Sequence, residues 1–219
     1  MSTTEAAATP RSAPTPLLVF PFNGNALEAI DCLGDAFVLV AFVDDTPGKQ
    51  GVGPLSVPIL ARDALAQWPQ AQVLAVPGSA TSYLTRRAAI SSLQLPSDRF
   101  ATVVHPTARV SPLATIGRNV LIMAGAVVTS NAVIGDHVCI LPNTVIHHDV
   151  TVGDWTLIGS NVTIAGGTAI GENCYVGSAS SIMNGLHVGD RSLIGLGSNV
   201  IRSCPADSRL AGNPARSLG

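Results

Sequence analysis

The chain repeats every six residues from Val104 onward, and this repeat restricts the possible folds more than any other feature of the sequence. Seventeen consecutive hexads open with Val or Ile, and Gly follows the opening residue in eight of them. The hexads read VHPTAR, VSPLAT, IGRNVL, IMAGAV, VTSNAV, IGDHVC, ILPNTV, IHHDVT, VGDWTL, IGSNVT, IAGGTA, IGENCY, VGSASS, IMNGLH, VGDRSL, IGLGSN and VIRSCP. A period of six with β-branched openers excludes an α-helix, whose period is 3.6 residues.

The hexads predict a triangular coil in which three short strands are joined by tight turns and eighteen residues complete one coil. One aliphatic side chain per strand then points at the axis, and glycine supplies the corner conformations. One column of glycines shows the coil directly, because its members fall eighteen residues apart: Gly117, Gly135, Gly153, Gly171 and Gly189. Parallel pairing between coils at about 4.8 Å gives a prism roughly 27 Å long.

The residues before the repeat, 17–103, alternate between strand-like and helix-like segments, which predicts a small parallel α/β unit. We expect strands at Leu17–Phe22, Phe37–Val43 and Gln72–Val76, and helices at Ala26–Leu33, Ala61–Trp68 and near Thr81–Leu93. Ligands of such units bind at the carboxyl ends of the strands, here near Asn23–Asn25, Asp44-Asp45 and Pro77–Ser79.

Composition excludes several classes of function. A formal net charge of −2 gives no basic field for nucleic acid, and no apolar run approaches the ~18 residues that span a membrane. The Pro-rich, polar residues 1–16 predict a disordered tail without a secretion signal. Four cysteines without CxxC spacing indicate reduced thiols in a cytoplasmic protein.

The repeat resembles that of the hexapeptide-repeat acyltransferases, and the preceding α/β unit makes the whole chain similar to the sialic-acid O-acetyltransferase and sugar-nucleotide 4-amino N-acetyltransferase family. The resemblance implies a Rossmann-like subdomain at 17–103 and a left-handed parallel β-helix at 104–219. It also implies a homotrimer that acetylates a nucleotide-linked amino sugar with acetyl-CoA and without a metal. In a trimer, neighbours would cover the apolar side chains of Trp155, Leu157 and Tyr175.

Acetyl transfer needs a base for the acceptor's proton and a donor for the oxyanion. His148 is followed by Asp149, as the family's catalytic histidine is followed by an acid, so we expect His148 to be the base and Asp149 to orient its ring. The adjacent His147 is the rival for the base and otherwise a residue that contacts the acceptor. A solvated histidine beside a solvated carboxylate is the alternative without catalysis.

The resemblance also assigns binding residues in both halves of the chain. For the acceptor these are Asn23, Gly24, Asn25, Asp44 and Asp45, although Pro21–Ala26 replaces the family's usual Gly-x-x-Gly-His-Gly turn. The α/β unit could instead be a packing or oligomerisation module. For acetyl-CoA the residues are Gly166, whose N–H would hold the thioester oxygen, and Gly177, Gly195, Gly197, Arg202 and Arg216, for which corner turns and solvated arginines are the alternatives.

Three other functions stay open at this stage. Zinc needs convergent ligands, but among the five histidines only the adjacent pair shares a corner of the coil: His105, His137, His147, His148 and His187. The sequence therefore disfavours a metal site. An O-acetyltransferase acting on a sugar or another small alcohol is the second hypothesis, and a non-catalytic β-helix scaffold is the third.

Overall fold

The computed structural model describes residues 13–218, which form an α/β unit packed against a three-sided β-helix. The sheet of the α/β unit has the order β3-β4-β2-β1-β5, in which only β3 is antiparallel. Its strands are β1 (Thr15–Phe20), β2 (Phe37–Val43), β3 (Gly51–Val52), β4 (Pro58–Leu60) and β5 (Gln72–Ala75). Its α-helices are α1 (Gly24–Ile30), α2 (Ala64–Gln67) and α3 (Arg86–Ser91).

The three predicted strands are present, and the short edge strands β3 and β4 were not predicted. The helices are shorter than predicted: Pro69 follows α2, and the residues before α3 form a 3-10 turn at Tyr83–Thr85. Residues 1–12, most of the predicted tail, lie outside the described residues, and β1 already begins at Thr15. None of the helices in residues 13–218 is long and apolar enough to cross a bilayer.

The β-helix confirms the fold predicted from the hexads, because each strand between residues 103 and 182 pairs in parallel with the strand eighteen residues further on. The six-stranded face contains β7 (Arg109–Val110), β10 (Val127–Val128), β13 (Val145–Ile146), β16 (Thr163–Ile164), β19 (Ser181–Ile182) and β22 (Asn199–Val200). The five-stranded face contains β8 (Thr115–Ile116), β11 (Val133–Ile134), β14 (Thr151–Val152), β17 (Ala169–Ile170) and β20 (His187–Val188). The eight-stranded face contains β6 (Val103–Val104), β9 (Leu121–Ile122), β12 (Cys139–Ile140), β15 (Leu157–Ile158), β18 (Tyr175–Val176), β21 (Leu193–Ile194), β23 (Arg209–Ala211) and the antiparallel β24 (Arg216–Ser217).

The hexad openers fill the axis of the prism. Every opener from Ile122 to Val200 is at most 3% exposed, and together they form one core cluster. The first opener, Val104, is 40% exposed because the first coil forms the end of the stack. Burial of one such side chain stabilises the fold by roughly 1.5–3 kcal/mol, so the column of openers holds the coils in register.

The α/β unit covers the eight-stranded face, and the two units share a hydrophobic core. Leu17 and Val19 from β1 belong to the same buried cluster as Leu121, Met123 and Leu157 from the prism. This arrangement corrects the expectation that neighbouring subunits cover Trp155, Leu157 and Tyr175. Leu157 is 3% exposed beneath the chain's own α/β unit, and Trp155 and Tyr175 pack against that unit as well.

One corner of the prism carries most of the polar contacts of this seam. We call it the seam corner; it joins the five-stranded face to the eight-stranded face and contains one residue from each of five successive coils: Asn119, His137, Trp155, Asn173 and Arg191. The Asn119 amide accepts a hydrogen bond from Ala75 N (2.7 Å) and donates one to Ala75 O (2.8 Å). Both backbone polar groups of Ala75 at the edge of β5 are thus hydrogen-bonded. Asn173 Nδ2 donates to Leu84 O, and the Tyr83 hydroxyl donates to Arg191 O.

Candidate active site

His147 and His148 lie at a different corner of the prism, between β13 on the six-stranded face and β14 on the five-stranded face. We call this the His148 corner; it comprises residues 147–150 and their equivalents at multiples of eighteen residues. Asp149 takes the left-handed corner conformation with φ of 59°, which Asp tolerates better than most residues. The corner lies opposite the eight-stranded face, so the chain's own α/β unit leaves it open.

The His148 ring is oriented by the adjacent carboxylate. His148 Nδ1 lies 2.7 Å from Asp149 Oδ2, and the two side chains are 65% and 55% exposed. The hydrogen bond from His148 lowers the pKa of Asp149, and the hydrogen bond from Asn131 lowers it by a smaller amount. An ionised carboxylate accepts, so Nδ1 carries the proton and Nε2 of a neutral ring presents its lone pair. His148 Nε2 makes no hydrogen bond within residues 13–218, as the predicted base requires, and that role stays a prediction.

Gly166 lies directly against the His148 ring from the next coil. A Cβ placed on Gly166 would be 2.6 Å from both Cε1 and Nε2 of His148. The missing side chain is therefore required for the ring to lie where it does. The Gly166 N–H has no hydrogen-bond acceptor among residues 13–218, as the predicted oxyanion donor requires, and that role stays a prediction.

His147 occupies the same turn without the contacts that His148 makes. Its backbone N–H donates to Ile164 O in the neighbouring coil. Its side chain is half-buried and makes no hydrogen bond or ion pair within the described part of the chain. The carboxylate contact thus distinguishes His148 from its rival, although both histidines border the same surface.

The residues predicted to bind acetyl-CoA are divided between two corners. Gly166 and Arg202 lie at the His148 corner, one and three coils beyond His148. Gly177 and Gly195 lie at the third corner, which joins the eight-stranded face to the six-stranded face. A Cβ on either would come within 3.0 Å of atoms in the next coil, so coil stacking already explains them. The remaining two residues also lie away from His148. Gly197 takes a left-handed turn conformation (φ 64°) at the third corner, and Arg216 is exposed in β24.

A cavity of about 550 Å³ opens at the carboxyl ends of β1 and β5, where the sequence predicted a ligand. It is lined by Pro21, Asn23, Gly24, Asn25, Pro77, Gly78, Ser79, Ser82, Thr85 and Arg86. Asn23 Oδ1 accepts from Ala26 N and caps α1, while the Asn23 and Asn25 amides donate to Val76 O. The predicted Asn23–Asn25 turn therefore forms one wall of this cavity.

Asp44 and Asp45 do not line the cavity. Asp44 is 4% exposed and binds Lys49 Nζ at 2.8 Å, and its pKa is lowered by the hydrogen bonds of Lys49 and Thr46 against the opposing effect of burial. Asp45 forms an ion pair with Arg62, which lowers its pKa. Both carboxylates are thus used within the α/β unit, and their predicted contact with the acceptor stays untested.

Arg86 is the residue of the cavity wall that sequence reasoning missed. It is 1% exposed, burial lowers its pKa, and none of the carboxylates in residues 13–218 pairs with it. Its guanidinium donates to Pro77 O in the α/β unit and, at 2.7 Å, to His137 O in the prism. Arg86 therefore ties the cavity wall to the seam corner.

Comparisons with known proteins agree with this architecture. The family described as bacterial transferase hexapeptide (six repeats) matches residues 113–146 and 131–166, and the hexapeptide repeat of succinyl-transferase matches residues 167–201. A search of curated protein sequences found no match. Within residues 13–218, the structure contains no group of three or more His, Cys, Asp or Glu side chains that could hold a metal ion.

Solved structures similar to this chain cover both of its units. PerB from Caulobacter crescentus, in complex with CoA and GDP-perosamine, has a TM-score of 0.82 at 24% identity and covers 95% of this chain and 99% of that chain. The acetyltransferase domain of PglB from Neisseria gonorrhoeae FA1090, in complex with acetyl coenzyme A, has a TM-score of 0.82 at 25% identity over 94% of this chain and 100% of that chain. WeeI from Acinetobacter baumannii AYE has a TM-score of 0.80 at 22% identity over 93% and 99%. The hexapeptide repeats of this chain are thus matched by sequence over residues 113–201, and both of its units are matched by the fold of an acetyltransferase.

Proposed function

We propose that this chain transfers the acetyl group of acetyl-CoA to the amino group of a nucleotide-linked amino sugar, with His148 as the general base. The observation that carries the proposal is the exposed His148–Asp149 pair, whose geometry leaves Nε2 free to accept a proton. The similar PerB structure holds CoA and GDP-perosamine, a nucleotide-linked amino sugar, which supports both the donor and the acceptor class.

The chemistry follows from the position of the base. The nitrogen of the acceptor amine attacks the thioester carbonyl carbon and forms the C–N bond, while His148 Nε2 takes a proton from that amine. The negative charge that develops on the carbonyl oxygen is stabilised by the Gly166 N–H. The C–S bond then breaks, and the departing thiolate takes the proton back from His148. Asp149 stabilises the protonated ring between these two proton transfers.

Arg202 gives the donor a direction along the prism. It lies 54 residues, and therefore three coils, beyond His148 on the same corner. At about 4.8 Å per coil this separation is roughly 14 Å along the axis. Such a distance suits acetyl-CoA, in which the thioester and the phosphates lie at opposite ends of an extended arm. We propose that Arg202 binds those phosphates, with Arg216 as a second cation at the end of the prism.

The acceptor cavity and His148 lie on different sides of the prism. The cavity wall contacts the eight-stranded face and the seam corner, through Gly78 and Arg86, whereas His148 lies at the opposite corner. An acceptor held in this cavity is therefore directed away from the base of its own chain. We propose a homotrimer in which the cavity of one subunit serves the His148 of its neighbour.

Hybrid trimers test this arrangement. Gly24→Trp should block the cavity without strain, because a Cβ at Gly24 meets no atom within 4 Å. Subunits with Gly24→Trp are mixed with subunits carrying His148→Ala, and acetylation is measured against each variant alone. Both parents should be inactive, whereas a 1:1 mixture reassembled into random trimers should regain about a quarter of the wild-type rate if sites form between subunits. Hybrids without activity would place the base and the cavity in the same chain.

A substrate panel separates the proposed function from its alternatives. Acetyl-CoA is offered with nucleotide-linked amino sugars, with the matching hydroxyl sugars and with the free sugars, and the released thiol is measured. Transfer to the amine alone supports the proposal, and transfer to the hydroxyl favours the O-acetyltransferase. Binding of CoA, seen as a rise in Tm, without turnover of any acceptor would favour the scaffold.

A further inference from the structure

Asn131 makes the second contact to the Asp149 carboxylate. Its Nδ2 donates to Asp149 Oδ1 at 3.0 Å, while the other oxygen, Oδ2, binds His148. Asn131 lies eighteen residues before Asp149, directly beneath it in the preceding coil, and both residues have φ of 59°. The side chains of one coil and the next therefore meet through this hydrogen bond.

The contact has a physical consequence because the pair is exposed. A carboxylate that is 55% exposed can rotate about its own bonds, and exposed ion pairs hold their geometry only weakly. The Asn131 amide fixes one oxygen and thereby turns the other toward His148 Nδ1. Gly166 contacts the ring from the following coil, so three consecutive coils define the direction of Nε2.

We propose that Asn131 is a positioning residue that acts on His148 through Asp149. The proposal rests on the proposed function, in which His148 is the base. Asn131 touches neither reacting partner in this scheme. It keeps Asp149 ionised and oriented, so the ring enters the reaction in one tautomer and one direction.

A purely conformational role for Asn131 is the competing explanation. Asn tolerates the left-handed conformation, and Asn161 occupies an equivalent conformation (φ 55°) at the third corner. The Asn161 side chain makes no hydrogen bond within the part of the chain that the structure describes. Asn161→Gly is therefore a matched control, because glycine keeps the backbone conformation at both positions and removes only the amide.

The test compares Asn131→Gly with Asn161→Gly, each in the wild-type and in the Asp149→Asn background. In the wild-type background, Asn131→Gly should lower kcat roughly three- to thirty-fold with KM for acetyl-CoA unchanged, and Asn161→Gly should leave kcat unchanged. In the Asp149→Asn background, Asn131→Gly should cause no further loss. An equal loss in both backgrounds, or an equal loss from Asn161→Gly, would overturn the proposal.

A second measurement does not depend on activity. Carboxyl NMR titration should show that Asn131→Gly raises the pKa of Asp149, because one hydrogen bond to the ionised form is lost. An unchanged Asp149 titration would overturn the proposal even in an active enzyme. If the proposed function fails instead, the pKa of Asp149 still rises in Asn131→Gly, but His148→Ala retains full acetylation or no acceptor is turned over.

Discussion

The seam corner and the His148 corner have the same backbone conformation, but one is covered by the α/β unit and the other is exposed. At the seam corner, Asn119, His137 and Trp155 have φ between 55° and 61°, and at the His148 corner Asn131 and Asp149 have φ of 59°. The seam residues contact the α/β unit, whereas Asn131, Asp149 and His148 are exposed. Since the conformation is shared, what covers a corner determines whether its side chains pack against the α/β unit or remain exposed.

The difference shows how a β-helix separates stability from chemistry. Its core is closed by the inward column of openers, so the side chains at the left-handed corner positions can differ from coil to coil, whereas several corner glycines leave no space for a Cβ. The seam corner uses that freedom for stacking: the ring centroids of His137 and Trp155 are 5.7 Å apart, and the Arg87 guanidinium carbon lies 4.4 Å from the Trp155 ring centroid. At the His148 corner, the same freedom permits the exposed histidine that we propose as the base.

The largest expected effect contrasts one histidine from each corner. His148→Ala should lower kcat by roughly 10²–10⁴ and leave the free energy of unfolding unchanged, because the side chain is exposed and is the base that we propose. His137→Ala should lower the free energy of unfolding and leave kcat unchanged, because this variant loses the stacking on Trp155 and the contact with Asn119. Steady-state kinetics and urea unfolding of both variants check this. Full activity in His148→Ala, with His147→Ala inactive, would move the base to His147.

The second prediction concerns the connection between the cavity and the seam corner. Arg86→Ala should lower the free energy of unfolding by about 2–5 kcal/mol, because it leaves a cavity and two buried carbonyls without their donor. Arg87→Ala is the matched control: its cation–π contact with Trp155 is worth only about 0.5–1 kcal/mol. Urea unfolding measures both, and equal losses would contradict the role given to Arg86.

The β-helix from Val104 to Val200 could be predicted from the sequence to the level of single strands, because the hexads fix each residue's place in the coil. The same arithmetic could have found Asn131, since subtracting eighteen from Asp149 places it directly beneath. It could not show which face the α/β unit covers, so the expectation for Trp155 was wrong. No periodic pattern in the sequence predicts the burial of Arg86, because that burial depends on how the two units pack.

The third prediction concerns the contact between Gly166 and the His148 ring. Gly166→Ala should lower kcat roughly ten-fold or more with little loss of stability, because the new methyl group displaces the ring while the N–H remains. Gly48→Ala is the control, since a Cβ there meets no atom within 4 Å. Kinetics of both variants check the effect, and a crystal structure of Gly166→Ala should show the imidazole rotated away from Asp149. Unchanged kinetics would mean that the ring does not need this position.

The smallest expected effect is a pH dependence confined to the seam corner. Burial lowers the pKa of His137 below its usual 6.5, with Asp136 opposing the shift. The unfolded chain then binds a proton more readily than the folded chain, so the stabilisation is complete above pH 6.5 and is lost as the pH falls toward the folded pKa. The carboxylates with lowered pKa values lose their contribution only near and below pH 3.8, so the window from about pH 4.5 to 6.5 isolates His137.

His137→Gln removes the titrating group and keeps a polar side chain beside Asn119. Its free energy of unfolding should therefore vary less across that window than the wild type does, by a few tenths of a kcal/mol to about 1 kcal/mol. Urea unfolding at several pH values measures the difference. If His137→Gln kept the full wild-type pH dependence, a group other than His137 would couple folding to pH in this window.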